Sequence, residues 1–381
     1  MKNTGKRHLH IVAFATPYPA NYGGVIEVFY KLRALSREGV LIHLHAFTYS
    51  NHLPAKELEA YCTTVTYYRR KTGLKAALSL KPYIVKSREN NRLLHNLLKD
   101  DYPILFEGLH SCGYISHPKL KNRVKVFREC NIEHHYYYNL AKASNSLFDK
   151  IYYLTESFRL KLFQRRVSHA DYILGISQKD TNYLYGKFPH NKVIHLPAFH
   201  ENEDLSVSEG TGNYALYHGN MSVAENYLAA QYLIKKVFAD LSTPLVIAGK
   251  KPPEHLKVLA AKYPHITIED TPDDTTMSRL ISEAQVHILI TFQATGLKLK
   301  LLNTLFRGRH ILVNPQMVAG TLAEPLCETG HSDKELQQKV QQLMKTPFDS
   351  TSLHKRNILL QKHYSNQHNA QKLIEWVFSG E

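Results

Sequence analysis

One glycine and two lysines stand close together in the segment GLKLKLLNTL, where a helix is predicted over residues 298–307. They are Gly296, Lys298 and Lys300. Cations in the first turn of a helix are unfavourable because they oppose the helix dipole. An anionic ligand bound at the helix N-terminus would stabilise them. The spacing predicts that at least one of the two lysines contacts an anionic ligand. The alternative is that one lysine only points into solvent.

A pair of glycines, Gly23 and Gly24, follows the segment TPYPANY and precedes a predicted helix. A backbone without Cβ atoms can approach phosphate oxygens closely, and the helix N-terminus adds partial positive charge. The pair is therefore a candidate phosphate-binding turn. An ordinary tight turn is the alternative.

Positive charge is concentrated in the first half of the chain. The net charge is +15, and residues 1–200 hold 30 lysines and arginines against 14 aspartates and glutamates, so the remaining residues balance at −1. Such asymmetry predicts that the first half meets a polyanion, either nucleic acid or an anionic lipid surface, and basicity for solubility alone is the alternative. The candidate basic segments contain Arg69, Arg70, Lys71, Arg159, Lys161, Arg165 and Arg166.

Composition excludes several classes of protein. The 381 residues suffice for two domains, and 43% apolar with 21% charged residues excludes long disorder, collagen and a coiled-coil rod. The four cysteines form no CxxC pair and no zinc-type spacing, so we expect free thiols and no bound metal. The charged N-terminus lacks the apolar core of a secretion signal, which predicts a cytoplasmic location.

Short apolar strands alternate with helical patterns along the chain. In the first half, strands are predicted at residues 8–15, 40–47, 63–68, 104–107, 124–127, 172–174 and 192–195, with helices at 25–37, 82–99 and 149–168. In the second half, strands are predicted at 214–218, 245–248, 265–269, 286–290 and 310–313, with helices at 223–238, 253–262, 274–283 and 298–307. This alternation predicts α/β architecture with parallel sheets covered by helices on both faces.

Two Rossmann-like doubly wound domains follow from this pattern. We place the first at residues 1–198, a polar, acidic linker at 199–212, the second domain at 213–351 and a helical C-terminal segment at 352–381. The last segment carries Trp376, and its apolar face is expected to pack back toward the first domain. Open α/β sheets bind ligands at the carboxyl ends of their strands. No GxGxxG motif follows any predicted strand, which disfavours a nicotinamide enzyme.

At this level the sequence resembles a known family. HIVAFATPYPANYGGVIEVFYKLRALSREGV resembles the start of the family 4 glycosyltransferases. YALYHGNMSVAENYLAAQYLI, PLVIAGKKPP and TGLKLKLLNTLFRGRHILVN are similar to the nucleotide-sugar half of that family, in the expected order. The resemblance covers almost the whole chain. It implies a GT-B fold, an acceptor-binding first domain, a donor-binding second domain, retention of anomeric configuration, and no cofactor beyond the nucleoside diphosphate sugar.

The resemblance also implies roles for residues of the first half. His110 ends the segment ILFEGLH, where the family commonly presents a histidine toward the transferred sugar; one of 23 histidines falling there by chance is the alternative. The segment FRECNIEHH resembles an R-x-H-N-x-E element, with Cys130 in the place of its histidine. The residues expected to orient the acceptor hydroxyl are Arg128, Asn131, Glu133 and His134. Alternatively, Arg128 and Glu133 pair with each other.

In the donor half, Lys298 and Lys300 are expected to stabilise the departing diphosphate, and Gly219, Asn220 and Lys250 to lie around it. The sequence departs from the family at two points. Asn303 stands where many members have a ribose-gripping glutamate, and an amide lacks the charge-assisted strength of a carboxylate. The cations that commonly flank the HGN segment are also missing.

We expect a hexosyltransferase acting on a lipid-linked or polysaccharide acceptor at the inner membrane surface. A nucleotide-sugar epimerase of the same fold and a catalytically lapsed basic binding protein are the alternatives. Nucleic acid is not an expected partner, because the basic clusters are separate from any aromatic platform.

Overall fold

The chain is described by a computed structural model that covers residues 5–50, 52–73, 76, 79–292 and 299–378. It divides into two compact units, Met1–His200 with Tyr364–Glu381, and Glu201–His363. None of the described helices is long and apolar enough to cross a membrane.

The first unit contains a seven-stranded sheet. Its strands are β1 (His8–Ala13), β2 (Leu41–Thr48), β3 (Thr64–Arg69), β4 (Ile104–Glu107), β5 (Lys125–Arg128), β6 (Tyr172–Gly175) and β7 (Lys192–His195). They follow the order β3-β2-β1-β4-β5-β6-β7, and every pair is parallel. All residues of β4, β5 and β6 are buried, as expected for central strands covered on both faces.

Six α-helices of the first part of the chain lie wholly within the described residues. They are α1 (Gly23–Arg37), α2 (Tyr83–Lys86), α3 (Asn91–Leu97), α4 (Glu133–Ala143), α5 (Leu147–Phe163) and α6 (Gln178–Lys187). The helix predicted over 82–99 is interrupted, because the Asn90 side chain accepts a hydrogen bond from the Arg92 amide and caps a new helix. The Ser146 hydroxyl caps α5 in the same way at Asp149, so α5 begins two residues before its predicted start.

The second unit repeats the architecture with six parallel strands in the order β10-β9-β8-β11-β12-β13. The strands are β8 (Ala215–His218), β9 (Leu245–Gly249), β10 (Ile266–Asp270), β11 (Val286–Leu289), β12 (His310–Val313) and β13 (Glu328–Thr329). The helices are α7 (Ala224–Tyr232, continued as a π-helix over Leu233–Phe238), α8 (Glu254–Ala260), α9 (Asp274–Glu283), α10 (Leu299–Arg307), α11 (Pro315–Val318), α12 (Asp333–Lys345) and α13 (Ser350–Tyr364).

The last helix, α14 (Asn366–Phe378), belongs to the first unit. Its buried residues Ala370, Leu373 and Val377 share a core cluster with residues of α1, so the predicted packing of the C-terminal helix on the first domain is confirmed. The segment predicted as a linker is partly core, since Phe199 is fully buried in the first unit. Gly210 pairs with Phe348 by backbone hydrogen bonds in the second unit.

All four cysteines are free thiols, as the sequence predicted. The α/β fold class, with two doubly wound parallel sheets, is confirmed as well.

Candidate functional site

Polar and aromatic side chains follow five neighbouring strands at the carboxyl edge of the first sheet. The carboxyl ends of parallel strands meet at one edge, which is where open α/β sheets bind ligands. The residues gathered there are Phe14 after β1, Tyr49 after β2, Arg70 after β3, His110 after β4 and Glu133 after β5. Two of these, His110 and Glu133, were predicted as site residues.

His110 and Glu133 lie together, with His110 Nδ1 3.9 Å from Glu133 Oε1. Burial raises the pKa of Glu133 to about 8, against a smaller lowering effect of Arg88. Burial also holds the pKa of His110 well below its usual value, and the positive charges of Arg88 and Arg70 add to this effect. At neutral pH the pair is therefore an uncharged imidazole beside a protonated carboxyl, a combination that can hydrogen-bond to sugar hydroxyls in both directions.

Backbone geometry places His110 at this edge. Gly108 has a φ of +68°, a left-handed conformation that favours glycine, and a helical turn over Leu109–Tyr114 begins directly after it. The ring of Phe14 packs 5.3 Å from the His110 ring. Phe14 in turn explains Gly24, because a Cβ atom on Gly24 would lie 2.7 Å from Phe14 Cζ. The need for glycine at position 24 thus has a packing cause, and the phosphate role of Gly23, the first residue of α1, and Gly24 stays a prediction.

Arg128 does not face an acceptor, which corrects the prediction made for it. Its side chain is fully buried, and its Nε donates to Glu27 Oε1 at 2.7 Å. Its terminal nitrogens donate to the backbone oxygens of Gly175, Leu196 and Pro197. The suggested pair with Glu133 is absent for the same reason, since Glu27 occupies the guanidinium.

Arg128 belongs to a buried ionic network of four residues. Lys31 Nζ lies 3.0 Å from Glu27 Oε1 and 2.6 Å from Glu107 Oε1, and all four side chains are at most 1% exposed. The two lysine contacts lower the cost of burying the carboxylates, although Glu107 still has a raised pKa because burial outweighs Lys31. Glu27 and Lys31 sit one helical turn apart on α1, a spacing that the sequence displays but that gives no sign of burial.

The structure leaves the predicted acceptor role of Asn131 open and argues against that of His134. The Asn131 backbone amide donates to Glu129 Oε1 at 3.3 Å, and its side chain is half-buried near the edge, so its acceptor role stays a prediction. His134 is 6% exposed, and its Nε2 lies 3.3 Å from Tyr183 Oη. Because His134 packs toward α6, we withdraw the expectation that it touches the acceptor.

In the second unit, Lys300 lies beside the residues that follow β8. Its Nζ is 3.2 Å from Asn226 Oδ1 and 4.8 Å from the centre of the Tyr217 ring. These two neighbours are neutral, so neither cancels the ammonium charge. The other two members of the predicted phosphate site on this segment, Gly296 and Lys298, lie outside the described residues.

Gly219 and Asn220 join the same cluster. The Asn226 side chain donates to the Asn220 carbonyl at 2.9 Å and so links these residues to Lys300. A Cβ atom on Gly219 would come 3.2 Å from Asn226 Cγ, so the loop passes close to this amide. Three predicted donor residues, Gly219, Asn220 and Lys300, are therefore brought together around Asn226.

Lys250 follows β9 with an exposed side chain, and its carbonyl accepts a hydrogen bond from the Met221 amide at 2.9 Å. Its backbone is therefore tied to the loop that carries Asn220. The side-chain contact with phosphate stays a prediction.

The side chain of Asn303 forms two hydrogen bonds within the second unit. Its Oδ1 accepts from Asn202 Nδ2 at 2.7 Å, and its Nδ2 donates to Glu201 Oε1 at 2.9 Å. A ribose grip by this amide would have to displace both contacts. Nothing in the local sequence indicates that residues 201–202 contact this position on α10.

His218, the last residue of β8, is a member of this cluster that the sequence prediction missed. Its Nε2 lies 3.1 Å from Thr304 Oγ1. Burial lowers its pKa to about 3, and the positive charge of Lys300 adds to the shift, so the ring is neutral. Its place at a strand end, within the HGN segment, was the available signal.

No protein-family model matches the chain. A protein of Klebsiella pneumoniae, described as an uncharacterized 44.6 kDa protein in the cps region, is 27% identical over 322 residues, which are 78% of this chain and 81% of that protein.

Solved structures similar to this chain cover nearly all of it. Sucrose-phosphate synthase from Thermosynechococcus elongatus matches with a TM-score of 0.68 at 12% identity, over 98% of this chain and 100% of that one. The apo structure of OtsA matches with a TM-score of 0.61 at 9% identity, over 98% and 99%. UGT71G1 of Medicago truncatula, complexed with UDP-glucose, matches with a TM-score of 0.55 at 10% identity, over 98% of both chains. The structural neighbours are glycosyltransferases, and the chain has their GT-B fold.

Proposed function

We propose that this protein is a glycosyltransferase that moves a hexosyl group from a nucleoside diphosphate sugar to a glycan or lipid-linked acceptor. The observation that carries the proposal is the cluster of Lys300, Asn226, Gly219 and Asn220 at the carboxyl edge of the second sheet. In a GT-B fold this edge is the one expected to take the donor. UGT71G1, one of the structural neighbours, is complexed with UDP-glucose.

Lys300 is the residue to which we assign the main electrostatic role. As the sugar leaves, negative charge develops on the diphosphate, and a fixed cation at hydrogen-bond distance stabilises it without reorganisation. The reaction we propose is therefore independent of a divalent ion, and retention of the anomeric configuration is the outcome that the resemblance to the family 4 glycosyltransferases implies. Lys300 is already held by Asn226 and Tyr217, which limits the rotamers available to its long side chain.

In the first unit, His110 and Glu133 are the residues we assign to the transferred sugar and the acceptor hydroxyl. Both are uncharged at neutral pH, and they lie 3.9 Å apart. A hydroxyl placed between them can donate to one group and accept from the other. The ionic network of Arg128 supports this edge from beneath as a positioning element.

The acceptor we propose belongs to polysaccharide biosynthesis, since the relative from Klebsiella pneumoniae is a protein of the cps region. Work on a growing, membrane-borne glycan agrees with the balance of +16 in residues 1–200. The proposed location is the cytoplasm, peripheral to the inner membrane.

A ligand panel tests the donor assignment. Each nucleoside diphosphate is added at the same concentration, and a ligand present at about 100 times its dissociation constant adds about 2.7 kcal/mol of stability to the folded state. We expect one or two diphosphates to raise the melting temperature of the wild type and of Lys257→Ala, and to raise that of Lys300→Ala by a smaller amount. The proposal is overturned if no nucleoside diphosphate stabilises the wild-type protein.

Turnover separates the proposed transferase from an epimerase of the same fold. The bound donor is incubated with and without glycan or lipid-linked acceptors, and the anomeric proton of the product is followed by NMR. Transfer with retained configuration in the presence of chelator supports the proposal. Conversion of the sugar nucleotide to an isomer without any acceptor supports the epimerase, with His110 and Glu133 as its acid and base.

A further inference from the structure

Two arginines share one tyrosine ring at the carboxyl edge of the first sheet. The guanidinium carbon of Arg70 lies 4.9 Å from the centre of the Tyr49 ring, and that of Arg88 lies 5.4 Å from the same centre. Arg70 follows β3, and Arg88 follows α2. Like charges held this close repel each other, so the arrangement calls for a compensating anion.

Among the described residues, the hydrogen bonds of the two guanidinium groups go to neutral oxygens. Arg70 Nε donates to Ser87 Oγ at 2.9 Å, and Arg88 donates to the carbonyls of Phe14 and Ile84, each at 2.7 Å. In the described part of the chain, neither guanidinium forms an ion pair with a carboxylate. The nearby carboxyl of Glu133 is held protonated by burial, so it does not neutralise them either.

Arg88 is part of a fixed scaffold. It is 4% exposed, and its bonds to two backbone carbonyls hold it in place. One of these carbonyls belongs to Phe14, whose ring packs against His110. Arg70 is half-buried and retains nitrogen donors beyond the one used by Ser87. The pair therefore combines a rigid cation with one that can reach a ligand.

More positive charge lies beside this pair. Lys71 and Glu89, the residues that follow Arg70 and Arg88, line a cavity of about 370 Å³. Its other charged lining residues are Lys81, Lys86 and Arg166. Glu89 binds both Lys81 and Lys86, so the lining keeps a net positive charge.

From this arrangement we infer that Arg70 and Arg88 form a phosphate subsite, and that the acceptor carries a phosphate or diphosphate near the hydroxyl that is glycosylated. Guanidinium groups match phosphate oxygens in geometry, and two of them suit a dianion. The inference rests on the proposed function, because it names the class of acceptor that binds beside His110 and Glu133. It favours a lipid-linked phosphate over a neutral polysaccharide chain.

The test measures binding of inorganic pyrophosphate by calorimetry in the Lys300→Ala background, where the donor site is weakened. We expect Lys300→Ala to retain one pyrophosphate site, and the double variant Lys300→Ala/Arg70→Gln to bind at least tenfold more weakly. Arg69→Gln is the matched control, because Arg69 is the exposed neighbour with the same charge, and it should change affinity less than about twofold. Arg70→Lys should retain part of the affinity, because lysine keeps the positive charge but lacks the planar guanidinium that binds two phosphate oxygens at once.

Equal binding by the Arg70 and Arg69 variants would overturn the subsite, as would loss of all pyrophosphate binding in Lys300→Ala alone. Nucleoside diphosphate binding by the wild type is measured in parallel, so failure of the proposed function is seen separately. Competition by farnesyl diphosphate and by glucose 6-phosphate distinguishes the two sources of phosphate. Tighter binding of the farnesyl compound supports a lipid-linked acceptor, and tighter binding of the sugar phosphate overturns that part of the inference.

Discussion

The two units treat charge at the carboxyl edges of their sheets in different ways. In the first unit, β4 and β5 end in Glu107 and Arg128, which are fully buried and neutralised by Lys31 and Glu27 of α1. In the second unit, β8 ends in His218, whose buried ring is neutral and lies beside the hydroxyl of Thr304. One edge contains an internal ionic network, and the other is polar but mostly uncharged.

This difference indicates which groups of each unit are available to bind a ligand. A buried ionic network gains specific geometry at a desolvation cost, and it leaves only the groups above it, such as His110, to meet a sugar. At the second edge the Glu225 carboxylate accepts a hydrogen bond from Thr291 Oγ1, and the strand-end residue His218 adds no charge. In the proposed function the charge of a diphosphate is met by Lys300, whose neighbours include the neutral groups Asn226 and Tyr217.

The largest expected effect comes from breaking the network of the first unit. Lys31→Met removes the partner of Glu107 and leaves that carboxylate buried without a cation. We expect the free energy of unfolding to fall by about 3–5 kcal/mol, as is typical when one member of a buried ion pair is removed. Chemical denaturation measures this loss.

Adding Glu107→Gln to Lys31→Met should recover part of that stability, because the uncompensated charge is then gone. Lys257→Met in the second unit is the matched control, since it breaks the solvent-exposed pair with Asp270 and should leave the denaturation midpoint nearly unchanged. A loss under about 1 kcal/mol for Lys31→Met would show that the two edges do not differ energetically in the way described.

The next effect concerns the cation of the second unit. Lys300→Ala should leave the fold and its melting temperature nearly intact and lower turnover at least about tenfold. Removing one donor that stabilises developing charge commonly costs about 100- to 1,000-fold, and most of the loss should appear in kcat. Lys257→Ala should have wild-type kinetics. If Lys300→Ala keeps wild-type turnover with its native donor, the donor site is wrongly placed.

The fold prediction was more accurate for the central strands than for the helix ends and the edge strand. Central strands such as β4 and β11 consist mostly of apolar residues, and their positions were predicted to within one residue. Helix ends depended on capping contacts that the pattern did not weight, as at Asn90 and Ser146. The short edge strand β13 has two residues and no periodic signal, and it was not predicted.

The candidate site was less predictable, because its decisive contacts join residues far apart in sequence. Glu27 and Arg128 are separated by about a hundred positions, and nothing local shows that they pair. The same holds for Asn202 and Asn303. His110 and Glu133 could be found because each follows a strand end within a segment that resembles an element of the family 4 glycosyltransferases.

A third effect, on pH dependence, should have opposite signs for Glu133 of the first unit and His218 of the second. Burial raises the pKa of Glu133 from 4.5 to about 8, so the folded state binds more protons and this contribution to stability is lost as pH rises from 4.5 to 8. Burial lowers the pKa of His218 from 6.5 to about 3, so its contribution is lost as pH falls from 6.5 toward 3.

Each slope is at most about 1.4 kcal/mol per pH unit for one proton. The measurement compares denaturation of Glu133→Gln and His218→Gln with the wild type between pH 5 and 8. Stability of the wild type relative to Glu133→Gln should fall with rising pH, and stability relative to His218→Gln should rise. Parallel slopes for the two variants would contradict the assignment of neutral forms to both side chains.

The smallest effect concerns the surface of the first unit. Helix α5 exposes large apolar side chains along one face, among them Leu147, Phe148, Ile151 and Phe158, each more than half exposed. The basic residues Lys161 and Arg165 lie near this face and are also exposed. An apolar face beside cations is typical of helices that lie in the interface of an anionic bilayer.

Cosedimentation with vesicles tests whether this surface distinguishes the first unit from the second. One basic residue near an anionic surface contributes about 1 kcal/mol, so Lys161→Gln should lower the partition coefficient about fivefold, and Lys257→Gln in the second unit should leave it unchanged. Binding should weaken as salt rises, because exposed charges are screened over about 10 Å at 0.1 M. Phe148→Ser should weaken binding at every salt concentration, since its contribution is apolar. Equal binding to neutral and anionic vesicles would assign the interaction to the apolar face alone and remove charge from this part of the comparison.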